Sequence, residues 1–245
     1  MTEPSAAAKA DLAPTGRLRV GLNYGNFLLV TRDPKGGFSG IAVDLARELG
    51  RRLGAPVDFV PYDAAGKMAE GAKAGAWDVA FLGAEPARAA EIDFSAAYLE
   101  IEAGYLVPPG SALRSMAEVD REGVRIAAAA KSAYDLFLSR SLRHARLVRT
   151  DGIDASYETF VKDGLEALAG LKPRLLIDQQ NLPGSRVLEG RFTAVQQAIG
   201  TPVGRDAGAS YLREFVEDAK RSGLVARAIE EHGVRGVSVA PAAPS

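Results

Sequence analysis

The sequence predicts an α/β protein built in two similar parts. Short apolar runs alternate with amphipathic stretches of helical period, the pattern of βαβ units and a mainly parallel sheet. The alternation occurs twice, and Pro108, Pro109 and Gly110 fall between the two series.

The first series opens after Thr15-Gly16 with the strand Leu18 to Leu22, followed by a turn at Pro34 to Gly37. In IAVDLARELGRRLG, Ala42, Leu45, Ala46, Leu49 and Leu53 share one helical face, with Asp44, Glu48, Arg51 and Arg52 opposite. Gly54 stands where a glycine ends a helix. The expected continuation is a strand Val57 to Val60, a helix Gly66 to Ala74, a strand Trp77 to Leu82, a short helix after Pro86, and a strand Glu102 to Val107.

The second series reads as strand Val124 to Ala129, helix Ala133 to Leu142, strand Arg146 to Val148, helix Tyr157 to Ala169 and strand Arg174 to Ile177. The pattern changes character around Gly190 to Gly200, and two helices broken at Ser222-Gly223 close the chain. Crossings near Val107 and Val195 imply a discontinuous first lobe, 10–106 with 196–236, and an inserted second lobe, 108–194. Residues 1–9 and 237–245 are expected to be disordered tails.

Composition narrows the chemistry. The 245 residues carry 30 basic and 31 acidic side chains with neither sign piled into one half, so no electrostatic footprint for nucleic acid or anionic lipid exists. Cysteine is absent, which excludes disulfides, thiolate metal sites and a Cys nucleophile. His144 and His232 are far apart in charged surroundings and read as surface residues, so no metal or cofactor is expected. No phosphate-cradling glycine motif or GxSxG elbow is present, and Ser132, with no histidine near in sequence, reads as a helix cap and not a nucleophile. The opening MTEPSAAAKADLAPTG lacks the apolar core of a secretory signal peptide. Two accounts stay open: a leader replaced by Met1, or a cytoplasmic protein.

The segment WDVAFLGAEPARAAEIDFS, taken with LRVGL, GIAVDLARELGRRLG, IDFSAAYLE and the closing helices, resembles the family 3 extracellular solute-binding proteins over most of the chain. The resemblance implies a two-lobed fold of the periplasmic-binding-protein type II kind, with two hinge crossings and a cleft that closes on its ligand. It further implies a periplasmic location, a monomer, an ABC permease as partner, a small carboxylated ligand and no catalysis. A cyclohexadienyl-dehydratase-like enzyme and an intracellular ligand-sensing module are the alternatives on the same fold.

Site residues follow from the resemblance by position. Arg88 takes the place of the arginine that grips a ligand carboxylate through paired donors. Lys131-Ser132 stands at the family's Gly-(Ser/Thr) turn, with lysine in place of glycine. Asn23, Tyr24, Asn26 and Phe27 occupy the ligand-side turn after the first strand, where an amide replaces the usual acid. Gly83, Ala84 and Glu85 form a turn shorter than the family's, with Glu85 where a threonine is common. The acid that amino-acid binders carry at a strand end in the second lobe is expected to be Asp178, after the strand Arg174 to Ile177. There it would meet a ligand ammonium or Lys131.

Overall fold

The computed structural model describes residues 3–244. One unit comprises the chain up to Glu100 together with Gln196 onward, and the other comprises Ile101–Val195.

In the first unit, α1 (Ala6–Leu12) precedes β1 (Leu18–Asn23), and a small hairpin, β2 (Thr31–Arg32) and β3 (Phe38–Ser39), encloses the Pro34 turn. Helix α2 (Ile41–Leu53) buries the predicted apolar face, and Gly54 ends it in the left-handed conformation at φ 68°. Strand β4 (Val57–Tyr62), helix α3 (Ala65–Glu70), strand β5 (Val79–Gly83) and a single 3-10 turn at Pro86–Arg88 come next. Helix α3 is shorter than expected, and β5 starts two residues after Trp77. Trp77 is fully buried among Met68, Ala80, Leu82 and Ile92, with its indole N–H donating to the Met68 carbonyl at 2.9 Å.

Strand β6 runs unbroken from Ile92 to Val107 and carries the chain into the second unit. That passage falls at Glu100–Ile101, within the strand, and not at the Pro108 break. Pro108 and the residues after it follow the end of that strand.

The second unit holds β7 (Arg125–Ala129), α4 (Ala133–Ser141), β8 (Arg146–Thr150), α5 (Ile153–Lys162), β9 (Ala167–Leu171), α6 (Lys172–Asn181) and β10 (Arg186–Val187). Two expectations fail here. The region read as the end of a helix, 163–169, contains most of β9, and the region read as a strand, 174–177, lies inside α6. The run ALAGL lacks β-branched residues, yet all five are buried, with β9 parallel to β7 and antiparallel to β6. Gly164, at φ 57°, marks the true end of α5, and Pro173 lies in the first turn of α6, where its missing N–H costs nothing.

The chain returns through β11 (Thr193–Pro202), the region whose pattern changed character, then α7 (Asp206–Arg221), α8 (Leu224–Glu231) and β12 (Val237–Val239). In the first unit β1 lies between β4 and β5, parallel to both, with β11 antiparallel beyond β5. In the second, β7 is parallel to β8 and β9.

Neither expected tail is a tail over its described residues. Helix α1 packs on α7 with Ala8 and Leu12 buried, and Gly208 donates its N–H to Asp11 Oδ2 at 2.9 Å. A side chain at Gly208 would stand 2.8 Å from Leu12, so glycine permits that approach. Strand β12 pairs with β6, and the Ala240 N–H donates to the Tyr98 carbonyl at 3.2 Å. Among the described residues no helix is long and apolar enough to cross a membrane.

Candidate functional site

Ligands of open α/β sheets bind beyond the carboxyl ends of the parallel strands. Each unit has such an edge, and the predicted residues are distributed over the two.

In the first unit the register Val20↔Val79 and Gly21↔Ala80 brings the ends of β1 and β5 out side by side. After β1 the backbone turns sharply: the Tyr24 N–H donates to the Tyr62 carbonyl at 2.9 Å, and Asn23 Oδ1 accepts the Gly25 N–H at 3.0 Å. A Cβ on Gly25 would lie 2.1 Å from the Asp63 carbonyl oxygen, so only glycine fits. Asn26 is buried and accepts the Leu28 N–H at 3.3 Å, which makes it a turn former. Neither aromatic belongs to the core. Tyr24 is half-buried with the Arg32 guanidinium 5.6 Å above its ring, and Phe27 is 39% exposed.

After β5, Gly83 and Glu85 are buried, and the Ala84 N–H donates to the Gln196 carbonyl at 2.8 Å. Glu85 precedes the 3-10 turn that ends at Arg88. The turn folds Arg88 back onto the strand, and its Nη1 donates to the Gly83 carbonyl at 2.6 Å. Only 6% of Arg88 is exposed. Burial pushes its guanidinium down to about 10, and the nearby charge of Glu85 opposes that shift. A buried guanidinium is completed by a carboxylate, whose geometry matches its paired donors.

In the second unit β7 ends in the turn Ala130-Lys131-Ser132 and α4 begins. Ser132 caps α4, its hydroxyl accepting the Asp135 N–H at 3.1 Å. Asp135 Oδ2 reaches back to accept the Lys131 N–H at 2.8 Å, a reciprocal cap, and Arg149 Nε donates to Oδ1 at 2.9 Å. Lys131 is exposed at φ 57°, the one non-glycine residue with positive φ among the described residues. The turn thus keeps the conformation that glycine favours while bearing a cationic side chain.

Asp178 is not at a strand end. It lies in α6, 2% exposed, and accepts from Arg174 Nε at 2.9 Å, while Arg174 also holds Asp154 at 2.7 Å. Burial, the largest influence, raises its carboxyl above the ordinary range in spite of Arg174. The strand of this part of the chain is β9, which ends at Leu171 and passes directly into Lys172, whose Nζ donates to Glu102 at 2.9 Å. The signals for this were Gly164 and Pro173, which bracket a short strand and open a helix. Asp135 and Arg149 were also missed. Ser132-x-x-Asp135 is a capping pattern, but the Arg149 contact comes from the neighbouring strand and has no local sign.

Both histidines are exposed, His232 Nε2 lying 2.5 Å from Asp44 Oδ2. Among the described residues no cluster of three or more His, Asp or Glu side chains could hold a metal ion.

The fold is that of type II periplasmic binding proteins. The chain belongs to the bacterial extracellular solute-binding proteins, family 3, whose model matches residues 18–234. The solute receptor for L-cysteine of Neisseria gonorrhoeae superposes with a TM-score of 0.78 at 21% identity, over 95% of this chain and 96% of that one. A mutant of ArgBP from T. maritima gives 0.76 at 19% identity, over 92% and 99%. The ancestral amino acid-binding protein AncCDT-1, a precursor of cyclohexadienyl dehydratase, gives 0.74 at 20% identity, over 91% and 98%. None of the curated proteins matches in sequence.

Proposed function

We propose that this chain is the ligand-capturing component of an ABC importer, working in the periplasm as a monomer beside a membrane permease. In this reading it takes a small carboxylated molecule, an amino acid or an organic acid, and closes about it by bending in the strands that pass between the units. The observation that carries the reading is Arg88, a guanidinium buried at the carboxyl end of β5. An arginine so placed recognises a carboxylate bidentately. The Lys131-Ser132 turn is proposed to hold the ligand from the second unit. Asn23, Tyr24, Phe27, Ala84 and Glu85 are proposed to line the first unit's share. Similarity to binding proteins for L-cysteine and to an amino-acid ABC transporter component supports the ligand class.

A thermal-shift screen of amino acids and organic acids tests this. A ligand at about 100 times its dissociation constant adds about 2.7 kcal/mol of stability. Absence of any shift across both classes would sink the proposal.

Glu85 favours a second reading, an eliminating enzyme on the same fold. It is buried within the influence of Arg88, where a carboxyl could serve as general acid, and the resemblance to AncCDT-1 adds weight. Turnover of prephenate or arogenate that disappears in Glu85→Gln would favour the enzyme over the importer component.

A further inference from the structure

Resting on the carboxylate-binding reading above, we infer that Arg32, on the β2–β3 hairpin of the first unit, is a specificity-determining residue that reads a second, acidic group of the ligand beside Tyr24.

The hairpin is short and exposed, yet it is fixed at its base. Asp33 closes the turn by accepting the Lys35 and Gly37 N–H groups at 2.7 and 3.0 Å. Phe38, paired with Arg32 across the hairpin, packs edge-to-face on Phe59 of β4 with ring centroids 6.0 Å apart. Arg47 of α2 lies over Phe59 and donates to the Phe38 carbonyl at 3.3 Å. Arg32 extends from this base to the ligand-side turn, its guanidinium carbon 5.8 Å from the centre of the Phe38 ring and 5.6 Å from that of Tyr24. Tyr24 is held in place by the Tyr62 carbonyl. The register of β1 with β5, continued past the end of β1, sets Tyr24 level with Gly83, whose carbonyl accepts from Arg88.

Two aromatic rings orient a guanidinium but take none of its five N–H donors. Among the described residues Arg32 makes no hydrogen bond and no ion pair. The acids on the hairpin and beyond the neighbouring strand ends are engaged: Asp33 by its own turn, Asp63 by Lys67 at 3.1 Å, and Glu85 beside Arg88. An arginine already held by stacking loses little freedom when it meets an anion, and its planar donor edge matches a carboxylate in pairs. A neutral side group gains no charge pairing there, and a cationic one is repelled.

Binding to the full chain would be measured by calorimetry with pairs that differ in a single acidic group: glutamate against glutamine, aspartate against asparagine, succinate against succinamate. In at least one pair the acid should bind about tenfold tighter than its amide, and Arg32→Gln should remove most of that preference while leaving the affinity for the amide in place. Lys35→Gln, which takes the same charge from the same hairpin without touching either ring, should leave the preference unchanged. Acids that bind no tighter than their amides overturn the inference, as does a preference that survives Arg32→Gln. An equal loss for acid and amide in Arg32→Gln would show that Arg32 only props Tyr24, and an equal effect of Lys35→Gln would show only the general field of the hairpin; either overturns it too. If other carboxylates bind and none of these acids does, the inference fails and the carboxylate reading stands. If no carboxylate of any kind binds, that reading itself fails and the inference with it.

Discussion

The first unit keeps a cation inside its strand-end turn, whereas the second keeps acids inside and leaves a cation outside. Arg88 is buried against the Gly83 carbonyl, while Asp135 and Asp178 are buried against Arg149 and Arg174 and Lys131 stands exposed. A guanidinium has five donors and no acceptor, and a charged partner strengthens it most. A carboxylate already met by an arginine and a backbone N–H has far less left to offer a ligand. The second unit holds its own turn through internal pairs, whereas the first unit's buried guanidinium is the group proposed to meet a ligand's charge.

Removing Arg88 is the most severe way to break this comparison. Arg88→Ala should lower affinity for a carboxylate ligand by about 2–5 kcal/mol in calorimetry, and Arg88→Lys should not restore it, since a point charge lacks paired donors. The empty protein should also lose about 1–3 kcal/mol in urea unfolding, because the Gly83 carbonyl is left without its buried donor. Equal affinity in the alanine variant would remove Arg88 from the site.

The second unit's internal pairs are tested by Asp135→Asn. It weakens both the Lys131 cap and the Arg149 pair and should cost about 2 kcal/mol of stability. A loss too small to measure would mean that the turn is held by Ser132 alone.

Lys131→Gly should act in the opposite direction. Relief of the left-handed conformation, less the greater freedom glycine has when unfolded, leaves a gain of about 0.5–1 kcal/mol in the melt of the ligand-free protein. A destabilised glycine variant would show that the lysine side chain itself fastens the turn.

Asp178→Asn should do least, changing ligand affinity by less than about threefold, since the Asp178 carboxylate is buried and already taken up by Arg174. Its pH signature is distinctive. The folded carboxyl has a raised pKa, so the folded state holds the proton longer than the unfolded chain does. The wild type then loses stability as pH rises from the ordinary value of 3.8 through the raised one, and the asparagine variant does not. Parallel stability curves for the two proteins across that window would contradict the buried placement.

How much was legible in the sequence varies by element. Helix α2 announced itself through its apolar face and Gly54, and β1, β7 and α4 appeared where pattern and cap put them. Strand β9 did not, because Ala, Leu and Gly favour no strand locally and only pairing on both sides makes ALAGL one. That single misreading displaced the strand end by six residues, from Leu171 to Ile177, and put an acid where the protein has a lysine.

By itself the sequence determined the α/β alternation, the family, and the residues at three of the turns, because periodicity, breakers and ordered motifs are local properties that survive without neighbours. Tertiary structure alone decided that the passage between units falls within β6, that the chain ends pack as α1 and β12, and that Asp135 is held by Arg149. Each of those depends on which strand or helix lies alongside. An ion pair that joins a helix to a neighbouring strand is set by register and burial, and neither is written in the spacing of residues along one segment.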